Sequence, residues 1–98
     1  MTAPGTGGIP VTARDALHAP FRLVRFRGGY DPKQVDDFMD QVEVALREAT
    51  SGGVPALSVA DIFDAQFHKT WFELGYARDD VDDFLDRTAD TLQAADAA

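Results

Sequence analysis

Apolar positions along this chain fall into two matched blocks, each a short helical stretch, a glycine-containing aromatic interval and a long helical stripe. In the first block Val35, Phe38, Val42, Ala45 and Ala49 follow the 3,4,3,4 spacing of one helix face, and Met39 and Leu46 widen the stripe. Asp31 suits the N-cap, Pro32 the first helical position and Gln34 the third, so a helix of roughly 18 residues is predicted from Pro32 onward. The second block repeats the stripe as Val81, Phe84, Leu85, Thr88, Leu92 and Ala95, with Ala77 at the capping position and Thr88 weakening the seam. Each long helix follows a short one. Thr12-Ala13-Arg14-Asp15 and Ser58-Val59-Ala60-Asp61 both have the form of a capping box. The first short helix must end near Ala19, ahead of Pro20, and the second is expected to stop near Phe67 or His68.

A single register shift carries the first block onto the second without a gap. Between Val11 and Leu46 it matches twelve identical residues in thirty-six positions, among them Phe21 with Phe67, Phe26 with Phe72, Gly29-Tyr30 with Gly75-Tyr76 and Val35-Asp36-Asp37-Phe38 with Val81-Asp82-Asp83-Phe84. Unrelated sequences would share roughly two or three. One module has been duplicated, and the function must be one that two copies perform together. The expected organisation is a flexible tail over 1–10, a first repeat over 11–50, a linker over 51–56 and a second repeat over 57–95. The expected fold is all-α: two helix-turn-helix repeats packed as a four-helix arrangement about a pseudo-twofold axis, paired within one chain or by swapping between two. Phe21, Val35, Phe38, Val42, Phe67, Val81, Phe84 and Leu85 form the predicted repeat-packing core, with Phe38 meeting Phe84 across the axis.

At 98 residues the chain is one domain with a modest core. Cysteine is absent, and His18 and His68 fall on different registers of the two copies, which gives no metal-ligand pattern. No apolar run approaches the roughly 20 residues that span a bilayer, and the N-terminus lacks the apolar region of a signal peptide, so a cytoplasmic protein is expected. The net charge of −8 is unevenly spread: +3 up to Tyr30 and −11 from Asp31 onward. So acidic a body repels phosphate backbones and argues against nucleic acid. The basic cluster Arg22, Arg25 and Arg27 stands apart from it.

Asp36-Asp37-Phe38-Met39-Asp40 and Asp82-Asp83-Phe84-Leu85-Asp86 spell D-D-x-x-D, the aspartate-rich pattern that holds magnesium and diphosphate in isoprenoid synthases. That chemistry needs a far larger helical cup and basic diphosphate ligands. Aspartates early in a helix are favoured by its dipole and solvated on the outer face. With no Ser/His/Asp grouping, phosphate loop or calcium-loop spacing, the chain is read as a non-enzyme with no cofactor. Tyr30 and Tyr76, each after a glycine and before a long helix, are expected to close the tip against the helices. Phe26, Trp71 and Phe72 have two readings. As core residues they would add roughly 1.5–3 kcal/mol each; at a glycine-rich tip with little to pack against, they would contact membrane or partner.

The order of a phenylalanine, a basic tip, Gly-Tyr-Asp and then a Val-Asp-x-Phe helix start resembles the N-terminal lipid-binding domain of DivIVA, the bacterial cell-division and polar-growth protein. It stands here as Phe21, Phe26-Arg27-Gly28-Gly29-Tyr30-Asp31 and Val35-Asp36-Asp37-Phe38, and again as Phe67, Phe72, Gly75-Tyr76 and Val81-Asp82-Asp83-Phe84. The chain looks most like small actinobacterial proteins with repeated units of this type. In that family the domain is a parallel dimer whose tips present a phenylalanine flanked by basic residues to the inner face of the membrane. The resemblance therefore implies a non-enzymatic module in cell division or polar wall growth. Arg22, Arg25, Phe26, Arg27, Trp71 and Phe72 would form the membrane or partner tip, and an anionic membrane surface or cell-division and cell-wall proteins would be the partners. A soluble protein-protein adaptor with buried tip aromatics is the alternative.

Overall fold

In the computed structural model, which describes residues 10–97, each repeat consists of a short helix, two two-residue strands and a long helix. Apart from Pro10, the expected tail lies outside the described residues. Helix α1 spans Ala13–Leu17, strands β1 and β2 are Leu23–Val24 and Gly29–Tyr30, and helix α2 runs Pro32–Thr50. The second copy gives α3 (Val59–Asp64), β3 (Lys69–Thr70), β4 (Gly75–Tyr76) and α4 (Arg78–Ala97). The capping boxes form as the spacing requires: Thr12 Oγ1 accepts from the Asp15 N–H at 3.1 Å, and Ser58 Oγ accepts from the Asp61 N–H at 3.1 Å. Asp31 caps α2 by accepting from the Lys33 N–H at 3.1 Å. Helix α3 ends earlier than expected. Ala65 is extended, with φ −63° and ψ 132°, which releases Phe67 to reach the other copy.

The prediction of an all-α fold is corrected by the sheet. Its four antiparallel strands lie in the order β1-β4-β2-β3, and each outer strand pairs with a strand of the opposite copy. Leu23 pairs with Tyr76 and Val24 with Gly75; the repeat shift turns these into Lys69 with Tyr30 and Thr70 with Gly29, which also pair. Tyr30 faces Tyr76 at the centre. The backbone groups of each tip are thus satisfied by the other tip, which a lone two-residue strand cannot do. The glycines permit this crossing. A Cβ on Gly29 would lie 2.9 Å from the Tyr76 carbonyl oxygen, and one on Gly75 would lie 2.9 Å from the Gly29 carbonyl carbon and 3.0 Å from the Tyr30 oxygen.

Beneath the sheet, Val35, Met39, Val42, Ala45 and Leu46 of α2 face Val81, Phe84, Leu85, Ala89 and Leu92 of α4 in one buried cluster with Val11, Ala16, Leu57 and Ile62. Thr88, fully buried on that seam, leaves no orphaned hydroxyl because its Oγ1 donates to the Phe84 carbonyl at 2.9 Å. Phe38 and Phe84 do not form the expected pair. Phe84 packs edge-on against Phe21, with centroids 5.8 Å apart, and Phe21 against Tyr76 at 5.4 Å. In the counterpart cluster Phe67 meets Phe38 at 5.8 Å and Tyr30 at 5.2 Å. Each phenylalanine that follows a short helix therefore inserts between the tyrosine and the long helix of the other copy, so that the two helical rings sit in separate aromatic clusters.

Candidate functional site

The crossed strands bring both tips to one end of the molecule. There Phe26, Trp71 and Phe72 project together. The Phe26 N–H donates to the Trp71 carbonyl at 3.0 Å, and the Phe26 and Phe72 rings meet edge-on at 6.2 Å. The Trp71 ring lies against the backbone of Gly28, where a Cβ would come within 2.9 Å of the indole. Gly28 has φ +65°, a conformation glycine adopts freely; Phe26 has φ +64°, which a bulky side chain adopts only under strain of order 1–3 kcal/mol. The tip stays wet regardless of this packing. Phe26 is 65% exposed, Trp71 56% and Phe72 80%, and Leu23 and Leu74 are exposed beside them in the chain. Exposed aromatics gathered in this way make the tip a candidate interaction surface.

Of the three predicted tip arginines, Arg25 and Arg27 are exposed and enter no ion pair among the described residues. Arg22 is occupied. Its guanidinium donates to both carboxylate oxygens of Asp80, Nε at 3.0 Å and Nη2 at 3.1 Å, and its backbone N–H donates to the same group at 2.9 Å. Those bonds, the side-chain ones first, hold Asp80 below the usual carboxylate range and raise Arg22. The spacing between repeats hid this partner, because Gln34 stands at the position equivalent to Asp80 and accepts instead from the His68 N–H at 2.7 Å. The remaining predicted residues lie in the helical body: Val35, Val42, Val81, Phe84 and Leu85 are buried, and Phe21, Phe38 and Phe67 are half-buried.

The first aspartate of each D-D-x-x-D run is not simply solvated, as expected, but holds a tyrosine of the other copy. Tyr30 Oη donates to Asp82 Oδ1 at 2.8 Å, and Tyr76 Oη donates to Asp36 Oδ1 at 2.9 Å. Burial, and then the bond to Asp82, push the Tyr30 phenol up to about 12; burial and Asp36 raise Tyr76 in the same direction. Asp37 and Asp83 pair within their own helices, with Lys33 at 3.2 Å and Arg87 at 3.8 Å. Among the described residues no three metal-ligating side chains converge. Nor is any helix among them long and apolar enough to cross a membrane. No protein-family model matches the chain, and neither a curated protein nor a solved structure matches it.

Proposed function

We propose that this chain is a non-enzymatic DivIVA-like module that contributes to bacterial cell division or polar wall growth by placing its joined tip on the inner face of the membrane. The observation that carries the reading is the convergence of Phe26, Trp71 and Phe72, all exposed, with the unpaired Arg25 and Arg27 at one end of the molecule. In the family resembled, the repeat is one half of a parallel dimer; here the two halves are supplied by one chain, and the contacts that join them recur under the repeat shift. The pseudo-twofold pairing is part of the same proposal. Insertion of aromatic side chains supplies apolar burial, and each free arginine adds roughly 1 kcal/mol at an anionic surface. One tip then binds reversibly, so display of several copies sets residence at the membrane.

Co-sedimentation of the chain with anionic vesicles tests the proposal. Binding is expected at low salt and is expected to disappear in Phe26→Ala and in the Arg25→Ala/Arg27→Ala double variant. No sedimentation of the unaltered chain at low salt would refute membrane contact. The exposed tip would then be a docking surface for a protein partner.

A further inference from the structure

The repeat also duplicates a cleft at the root of the tip, and the two versions carry opposite charge. One cleft, of about 170 Å³, is lined by Arg22, Val24 and Arg27 of the first repeat and by Ala77, Arg78 and Asp79 at the start of α4. Under the repeat shift its positions become His68, Thr70, Glu73, Asp31, Pro32 and Lys33, and the first five of these line a cleft on the other side. Arg27 has become Glu73 and Arg78 has become Pro32. Where Asp31 places a carboxylate that accepts from the Lys33 N–H, Ala77 places only a methyl group. The chain is strongly acidic, yet this one recess gathers three arginines from both repeats.

We infer that the cleft between Arg22, Arg27 and Arg78 binds a phosphate group, and that anionic lipid headgroups are its source when the tip is at a membrane. Arg22 forms a fixed wall, because Asp80 holds its backbone N–H and its guanidinium together. Arg27 and Arg78 enter no ion pair among the described residues and present planar donor forks suited to phosphate oxygens. Asp80 offsets the charge of Arg22 and exposed Asp79 on the rim offsets a second, so the recess keeps a net positive charge without being filled. The volume corresponds to that of about six waters at ~30 Å³ each, enough for a phosphate and part of its hydration. Phe26 directly precedes Arg27, so a headgroup held here would place its acyl chains beside the exposed aromatics. The lipid source rests on the membrane reading of the tip; the phosphate chemistry does not.

The test uses the full chain, Arg78→Gln, and Arg14→Gln as a control that removes the same charge from a residue outside the cleft. Arg78 is exposed, so both variants are expected to melt with the unaltered protein. With phosphatidylglycerol-containing vesicles, Arg78→Gln is expected to weaken partitioning about fivefold, and Arg14→Gln to leave it nearly unchanged. Titration with inorganic phosphate, followed by amide chemical shifts, is expected to move residues 22–27 and 77–80 in the parent and the control but not in Arg78→Gln. Phosphate shifts in the cleft without vesicle binding would retain the site for free phosphate and overturn its lipid source. Vesicle binding reduced equally by both arginine variants, with no phosphate shifts in the cleft, would overturn the site and leave the membrane tip standing.

Discussion

Gly75→Ala is the most direct test of how the tip is built, because the added methyl has nowhere to go. Its Cβ would lie 2.9 Å from the Gly29 carbonyl carbon and 3.0 Å from the Tyr30 oxygen, both backbone atoms of the facing strand, and would also strike the Thr70 hydroxyl. Carbon atoms pack at about 3.5–4.0 Å, so the strands must part by at least about half an ångström. That movement opens the Tyr30–Tyr76 crossing, on which the outer pairings depend. Overpacking strain of about 1–3 kcal/mol and about 1 kcal/mol for a weakened backbone bond give a total loss of about 2–4 kcal/mol. For a domain whose whole stability is about 5–15 kcal/mol this is large. Urea denaturation followed by far-ultraviolet circular dichroism measures it. Gly53→Ala is the control, since its Cβ would meet only the Glu48 carbonyl at 3.4 Å, an ordinary contact, and should change stability by less than about 0.5 kcal/mol. The double variant Gly29→Ala/Gly75→Ala should cost less than the sum of its parts, because the first methyl already opens the gap for the second. If Gly75→Ala unfolded at the same urea concentration as Gly53→Ala, the crossing would not be the element that holds the two repeats together.

Four further outcomes are expected. Phe84→Ala should destabilise by about 3–5 kcal/mol, and Phe38→Ala by less, because Phe84 is 7% exposed whereas Phe38 is only half-buried; equal losses in urea denaturation would contradict this ranking. Asp37→Ala should lie within about 0.5 kcal/mol of the parent, whereas Asp36→Ala, which removes the bond joining α2 to Tyr76 of the other copy, should lower the melting temperature measurably. A phenol pushed up to about 12 stays protonated in the folded chain after the unfolded one has ionised. The share of stability due to Tyr30 is therefore complete below pH about 10 and declines as pH rises toward 12, and Tyr30→Phe should flatten that decline in melts at rising pH. At the acid end, the contribution of Asp80 is present above the ordinary carboxylate range and is lost as pH falls through its depressed value, so Arg22→Gln should reduce the slope of acid unfolding.

The helices were legible because their signals are local. Thr12 with Asp15, Ser58 with Asp61 and Asp31 with Pro32 mark starts within a single turn, and the stripe from Val35 to Leu46 names the buried face on its own. The strands were not legible: two residues are too few to alternate, and what makes Leu23–Val24 a strand is Gly75–Tyr76, half the chain away. Non-local pairing also explains the error over Phe38 and Phe84. Helical periodicity placed both on an inner face, but only the crossed tips decide that Phe84 meets Phe21, and Phe38 meets Phe67, of the opposite copy. For the site, residue types were visible and their state was not. Arg22 reads like Arg25 and Arg27 until Asp80 is placed beside it, and the exposure of Phe26 depends on a positive φ that no neighbouring residue demands.

Joining two copies in one chain permits something that two identical chains cannot do. In a symmetric dimer every residue at the tip occurs twice, so a charge that helps one side of the cleft pair appears on both. Once the copies are linked, the positions that hold them together are constrained in both, while positions at the rim are free to differ. Many identities follow that division: Gly29 with Gly75, Tyr30 with Tyr76, Asp36 with Asp82 and Phe21 with Phe67 all reach across to the other copy and are kept, although the crossing pair Arg22 and Asp80 becomes His68 and Gln34. Arg27 with Glu73, Arg78 with Pro32 and Arg25 with Trp71 lie on the tip and its clefts, and all differ. The result is a tip with one basic side and one aromatic, acidic side on a nearly symmetric base. On the membrane reading proposed above, such a tip would meet an anionic surface in a preferred orientation, tilted toward Arg27 and Arg78, whereas a symmetric dimer would stand upright on it.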